Sequence, residues 1–121
     1  MDELALRRLV GWGSVGFGVG MLLDPRRVAR LFGADGRVSL IRYLALRDLV
    51  VGLGALTQPD LRPWVRARAL SDSTDALIFG LGLITGRFHR GRALFSLCAA
   101  AGSAAFGWRS VGQLETDRAG R

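Results

Sequence analysis

The chain has 121 residues, of which half are hydrophobic, and carries a net charge of +7. This length suits one domain with one core. All 17 basic residues are arginine, which indicates, together with the abundant Ala, Gly and Leu, a GC-rich bacterial genome. The arginines cluster at the edges of apolar stretches and form no DNA- or RNA-binding motif, so we expect no nucleic-acid partner.

Four apolar segments follow one another at residues 4–23, 38–57, 67–86 and 93–113. Each has about 20 residues, the length that spans a hydrocarbon core of about 30 Å. The short polar connections between them, at 24–37, 58–66 and 87–92, predict antiparallel neighbours. We therefore expect an all-α, four-helix, up-down transmembrane bundle over residues 1–113, followed by a polar C-terminal tail over 114–121. A soluble helical bundle is the alternative.

The connection after the first segment has the pattern of a helix of its own. Asp24 precedes Pro25, as an N-cap precedes a proline at the first helical position. In the following RRVARLF the apolar side chains share one face and the arginines spread over the other, and Gly33 ends the pattern. This predicts a short amphipathic helix at the membrane interface after the first span.

Small residues are frequent in the first segment. Gly16 and Gly20 form a GxxxG pair, and Ser14 and Gly18 form a second small-xxx-small pair. Small residues let helix backbones approach closely in a bilayer. We expect both pairs to lie at close helix–helix contacts.

Ionisable residues lie near the middle of two apolar segments. Arg47 and Asp48 lie in the second segment, and Asp72 and Asp75 lie in the third. Such residues are costly inside a membrane, and they usually mark a functional site or an internal ion pair. Because the two segments are predicted to be antiparallel neighbours, Arg47 is expected to reach Asp72 or Asp75.

The positions of these residues predict a polar site inside the bundle. Arg68, Asp72 and Asp75 follow one helical stripe, and Tyr43 shares a face with Arg47. We assign the role of general acid to Asp72 or Asp75, because two neighbouring carboxylates repel each other and one keeps its proton. The residues predicted to contact a ligand are Tyr43, Arg47, Asp48 and Arg68.

Three functions fit this polar site. The first is a small membrane protein that binds a lipophilic molecule or a protein partner through the Arg and Asp residues. The second is a membrane-embedded enzyme that uses an Asp on a hydrophobic substrate, and the third is a small oligomeric transporter. A purely structural ion-pair network is the alternative to all three. The partners expected are the lipid bilayer, a lipophilic small molecule and a second copy of the chain.

No metal or cofactor is expected. His89 is the only histidine, lies in a loop and has no neighbouring ligand residues in the sequence. Cys98 is the only cysteine, and its apolar surroundings predict a buried side chain without redox chemistry.

A resemblance to a known group of proteins adds to this interpretation. The run from Arg42 to Asp48, the following Gly52-Leu53-Gly54 and the segment with Arg68, Asp72 and Asp75 resemble small four-helix membrane proteins of actinobacteria, of the DUF4267-like type. The resemblance spans about residues 10–90. It implies a multi-pass protein of the bacterial inner membrane, and it implies no particular activity.

Overall fold

A computed structural model describes residues 2–120, and within that range the chain forms five α-helices and no β-strand. The prediction of an all-α chain is confirmed. In chain order the helices are α1 (Glu3–Leu23), α2 (Pro25–Leu31), α3 (Val38–Thr57), α4 (Arg62–Ile84) and α5 (Arg90–Ala119).

The largest differences from the predicted segments are at the start of α4 and at the end of α5. Helix α4 begins at Arg62, ahead of the apolar segment, because Pro63 occupies the first turn and the carboxylate of Asp60 accepts a hydrogen bond from the backbone N–H of Arg62. Helix α5 continues through Ala119, so residues 114–119 of the expected tail are helical. Arg121, the last residue of that tail, lies outside the described residues.

The four long helices run alternately up and down. Helix α1 packs along α3, α4 packs along α5, and a smaller contact between α3 and α4 joins the two pairs. Arg7, near the start of α1, donates to the carbonyl oxygens of Ala55, Gln58 and Pro59 at 2.6–2.9 Å. These carbonyls belong to the end of α3 and the residues after it, which lack helical partners. Arg7 thus closes the end of α3 and holds α1 beside it.

Glycines bring the paired helices close together. A Cβ added to Gly52 of α3 would lie 2.7 Å from the carbonyl oxygen of Gly11 in α1, and one added to Gly18 would lie 2.9 Å from that of Ala45. The expectation for Ser14 and Gly18 fits, because both are buried. The expectation for Gly16 and Gly20 is wrong: an added Cβ would meet nothing within 4 Å there, because these residues lie on the outer face of α1.

Helix α2 lies between the end of α1 and the start of α3, at the end of the bundle opposite Arg7. Its N-cap is Asp24, whose carboxylate accepts from the backbone N–H of Arg27 at 3.2 Å, as predicted. The chain then turns at Gly33, which has a φ of +79°. The carbonyl of Gly33 accepts from the backbone N–H of His89 at 2.7 Å. This contact fixes α2 against the connection between α4 and α5.

Over residues 2–120, none of the five helices combines the length and the apolarity required of a membrane-crossing helix.

Candidate functional site

Arg47 of α3 binds a carboxylate on α4 and one on its own helix. Its Nη1 and Nη2 donate to Oδ1 and Oδ2 of Asp75 at 2.8 and 3.0 Å, which is a bidentate pair. Its Nε and Nη2 also donate to Oδ1 of Asp48 at 3.3 and 3.0 Å. The contact expected between Arg47 and α4 is therefore made with Asp75.

Arg68 of α4 lies about two turns before Asp75 on the same helix. Its Nε and Nη2 donate to Oδ2 and Oδ1 of Asp72 at 3.2 and 2.6 Å. Its Nη1 lies 3.4 Å from Oδ1 of Asp48 and donates to Oγ of Ser14 in α1 at 3.2 Å. Both guanidinium groups thus contact the same oxygen of Asp48. The connected side chains, which we call the Arg/Asp cluster, are those of Arg47, Asp48, Arg68, Asp72 and Asp75.

The Arg/Asp cluster lies inside the bundle. Asp48 and Asp72 are each 3% exposed, and the side chains of the other three members are 15–19% exposed. The cluster contains three carboxylates and two guanidiniums. Fully ionised, it therefore carries one more negative than positive charge. Asp72 and Asp75 do not face each other unpaired, because each accepts two N–H bonds from an arginine of its own.

Two adjoining cavities reach the Arg/Asp cluster. One has a volume of about 200 Å³ and is lined by all five cluster residues together with Phe32, Phe79 and Phe95. The other, of about 230 Å³, is lined by Arg68 and Asp72 but otherwise mainly by apolar and small residues. The residues that line both are Phe17, Arg68, Asp72 and Ser103.

The two cavities form a cleft between α1 and α5. Over residues 2–120 these two helices are not among the pairs that pack along each other. Phe17 of α1 and Ser103 of α5, which line both cavities, are exposed. The cleft therefore opens the interior of the bundle to the side, between α1 and α5. Arg68 and Asp72 lie at the inner wall of this cleft.

The structure brings together five of the six predicted site residues. Tyr43 is the exception: it is 60% exposed on the outer face of α3 and lines neither cavity. His89 lies at the start of α5, where its Nδ1 accepts from the backbone N–H of Arg92 at 3.4 Å. Cys98 is exposed on α5, contrary to the expected burial. Among the described residues no group of three His, Cys, Asp or Glu side chains is placed to hold a metal ion.

Sequence reasoning missed two polar residues of this region. Ser14 was noticed only as a small residue, although it shares the inner face of α1 with Gly11 and Gly18. That shared face was the available signal for a contact with the cluster. Ser103 lies in a run of small residues in α5, and no feature of that run distinguishes the side that faces the cleft.

Comparisons with family models, with curated proteins and with solved structures found no match to this chain.

A double-mutant cycle tests whether the Arg/Asp cluster joins α3 to α4. Arg47→Met should lower the free energy of unfolding by about 3–5 kcal/mol, because it leaves the carboxylate of Asp75 without its partner. Asp75→Asn alone should cost less, because Arg47 still pairs with Asp48. Together they should cost less than the sum, by about 1–3 kcal/mol. The readout is denaturant unfolding followed by circular dichroism.

The matched control for this cycle is the pair of Arg66 and Glu115, which joins α4 to α5 at 2.6 Å but is about half exposed. The same cycle there should give a coupling of about 0–1 kcal/mol. Strictly additive effects of Arg47→Met and Asp75→Asn would show that the two side chains do not stabilise the contact between α3 and α4 as a pair.

Proposed function

We propose that this chain is a membrane-embedded helical protein that binds a lipophilic ligand in the cleft between α1 and α5. In this proposal the polar end of the ligand lies at the Arg/Asp cluster and its apolar part lies along the cleft. One observation carries the proposal: the mid-helix charges of α3 and α4 face inward, and many large apolar side chains of the long helices face outward.

The outward apolar faces follow helical periodicity. On α3 the exposed side chains of Leu46, Val50 and Leu53 form one stripe, and the cluster residue Asp48 is buried on the other side. On α4 the exposed stripe runs from Leu70 to Ile84, which is 84% exposed, while Asp72 is buried. In water such faces would be left without partners, whereas hydrocarbon chains solvate them. This arrangement supports an apolar surrounding.

The charges that lower the hydropathy of α3 and α4 include those of the cluster. The mean hydropathy of a helix is lowered equally by a charge that faces outward and by one that faces inward. Here the mid-helix charges face inward and are neutralised in Arg–carboxylate pairs, the form in which charge is tolerated at membrane depth. For α3 and α4, the finding that neither is apolar enough to cross a membrane is therefore compatible with the proposal.

The lining of the cleft indicates the chemistry of the ligand. Phe17, Phe79 and Phe95 offer aromatic surface, and Ala99 and Ala100 leave room beside them. Apolar pockets with a few convergent polar groups are typical of small-molecule sites. Because carboxylates outnumber guanidiniums in the cluster, the polar end of the ligand should be a cation or a hydrogen-bond donor.

Binding is favoured over acid catalysis. Both oxygens of Asp72 and both oxygens of Asp75 accept N–H bonds from an arginine, so the carboxyl groups are held by the cluster and not turned toward a substrate. The bacterial inner membrane and membership of the DUF4267-like families belong to the same proposal, supported by the residues quoted for the resemblance.

A charge on the outer face tests the membrane placement. Val50→Arg should reduce the amount of folded protein in the membrane fraction, because arginine at mid-depth costs about 2.5–3.5 kcal/mol in lipid. Thr57→Arg, at the end of the same helix, is the control and should have little effect. The measurement is fractionation of expressing cells with an alkaline carbonate wash.

In water Val50→Arg would change stability by only about 0.5 kcal/mol or less, as for most exposed positions. Recovery of the unmodified chain in the carbonate supernatant, stable without detergent, would contradict the membrane placement.

Filling the cleft tests the ligand site. The probe is a photoreactive dodecylamine, compared with the corresponding alcohol and carboxylic acid, added to the full chain in nanodiscs. Ser103→Phe should lower labelling by the amine about tenfold, equivalent to about 1.4 kcal/mol of binding. Ala101→Phe, an exposed neighbour on α5 that lines neither cavity, should leave labelling unchanged.

Preference for the carboxylic acid would contradict the assigned charge of the ligand. Equal labelling of the two phenylalanine variants would contradict the position of the site.

A further inference from the structure

The two ends of the bundle differ in how their arginines are paired. At the end that holds the start of α1 and the end of α5, arginines form ion pairs with Glu3, Asp60 and Glu115. At the opposite end seven arginines surround α2 and the connection between α4 and α5. Over residues 2–120 none of these seven takes part in an ion pair: Arg26, Arg27, Arg30, Arg37, Arg87, Arg90 and Arg92.

Three of these arginines share one pocket. Arg27, Arg30 and Arg92 line a cavity of about 290 Å³ together with Leu31, and no described carboxylate residue lines it. Arg92 is held in place because its Nη1 donates to the carbonyl oxygen of Arg30 at 3.0 Å. The remaining N–H groups of three guanidiniums match the oxygens of a phosphate.

An apolar groove begins beside this pocket. Leu31 lines both, and the groove, of about 510 Å³, continues along the outer face of α1 between Gly20 and Trp12. This stretch of α1 is about 12 Å long at about 1.5 Å per residue. Gly16 and Gly20 leave the floor of the groove open, and its walls are formed by Trp12, Phe17, Met21, Val28 and Phe32.

We infer that this composite surface binds one anionic phospholipid. Its phosphate lies among the guanidiniums of Arg27, Arg30 and Arg92, and one acyl chain lies in the groove along α1. Charge complementarity selects the head group, because guanidiniums without carboxylate partners attract phosphate. The apolar groove that adjoins the pocket selects a lipid over a free phosphate. The inference rests on the proposed membrane placement. The groove shares Phe17 and Phe32 with the inner cleft but lies on the outer face of α1.

Lipid retention by the purified chain tests this site. The full chain is placed in nanodiscs of phosphatidylcholine with a minor fraction of phosphatidylglycerol, extracted in mild detergent, and its bound lipids are counted by mass spectrometry. Phosphatidylglycerol should be enriched about tenfold over its bulk fraction. Arg30→Gln with Arg92→Gln should remove the enrichment.

The matched control removes two charges from the same end of the molecule. Arg26→Gln with Arg87→Gln changes exposed arginines that line none of the cavities described here, and enrichment should persist. An equal loss of phosphatidylglycerol enrichment in both double variants would contradict the pocket as the binding site, because it would indicate a general attraction between arginines and anionic lipid.

A second pair of variants tests the acyl-chain groove. A Cβ added at Gly16 would meet no atom within 4 Å, so Gly16→Leu should occupy the groove and reduce the enrichment, whereas Gly102→Leu at an equally open position on α5 should not. Enrichment that is abolished by inorganic phosphate and unaffected by Gly16→Leu would overturn the lipid as occupant. Incorporation into nanodiscs without enrichment would overturn this site alone, and failure to incorporate would overturn the membrane placement as well.

Discussion

The arrangement of this protein depends on the buried contact of Arg47 and Arg68 with the same oxygen of Asp48. Glycine-mediated packing joins α1 to α3 along most of their length, and α4 packs in the same extended way along α5. Between the two pairs the contact of α3 with α4 is smaller, and the charged side chains supply its specific bonds. A buried ion pair contributes little net stability but strongly penalises a register that would separate its members. The Arg/Asp cluster therefore sets how the two helix pairs meet.

Placing this charge inside has a consequence for the outside of the bundle. Beside the cluster the inner faces of α3 and α4 hold paired charge, and many large apolar side chains lie on the outer faces of the long helices. Leu46, Leu77 and Phe95 are each more than half exposed. Beside the cluster α1 and α5 leave a cleft, which is where the proposed ligand would enter from the side.

Much of the fold could be predicted from local patterns, whereas the faces of the helices could not. Val38–Thr57 was predicted as a segment with the bounds that α3 has, because its apolar run ends at clear polar signals. The connection predicted at 58–66 includes Pro63, yet this proline lies in the first turn of α4, where proline is favoured. GxxxG identifies small residues but does not say which side of a helix is packed, so Gly16 and Gly20 were placed wrongly. Tyr43 lies one turn from Arg47, yet only the long arginine side chain reaches inward to α4.

The most direct test of whether the outer apolar faces of the helices contact lipid uses the single cysteine, Cys98, which is exposed on α5. A nitroxide attached to Cys98 in the chain reconstituted in nanodiscs reports collisions with oxygen, which concentrates in lipid, and with a nickel chelate, which stays in water. We predict frequent collisions with oxygen and few with the chelate. Frequent collisions with the nickel chelate and few with oxygen would contradict a lipid-facing outer surface.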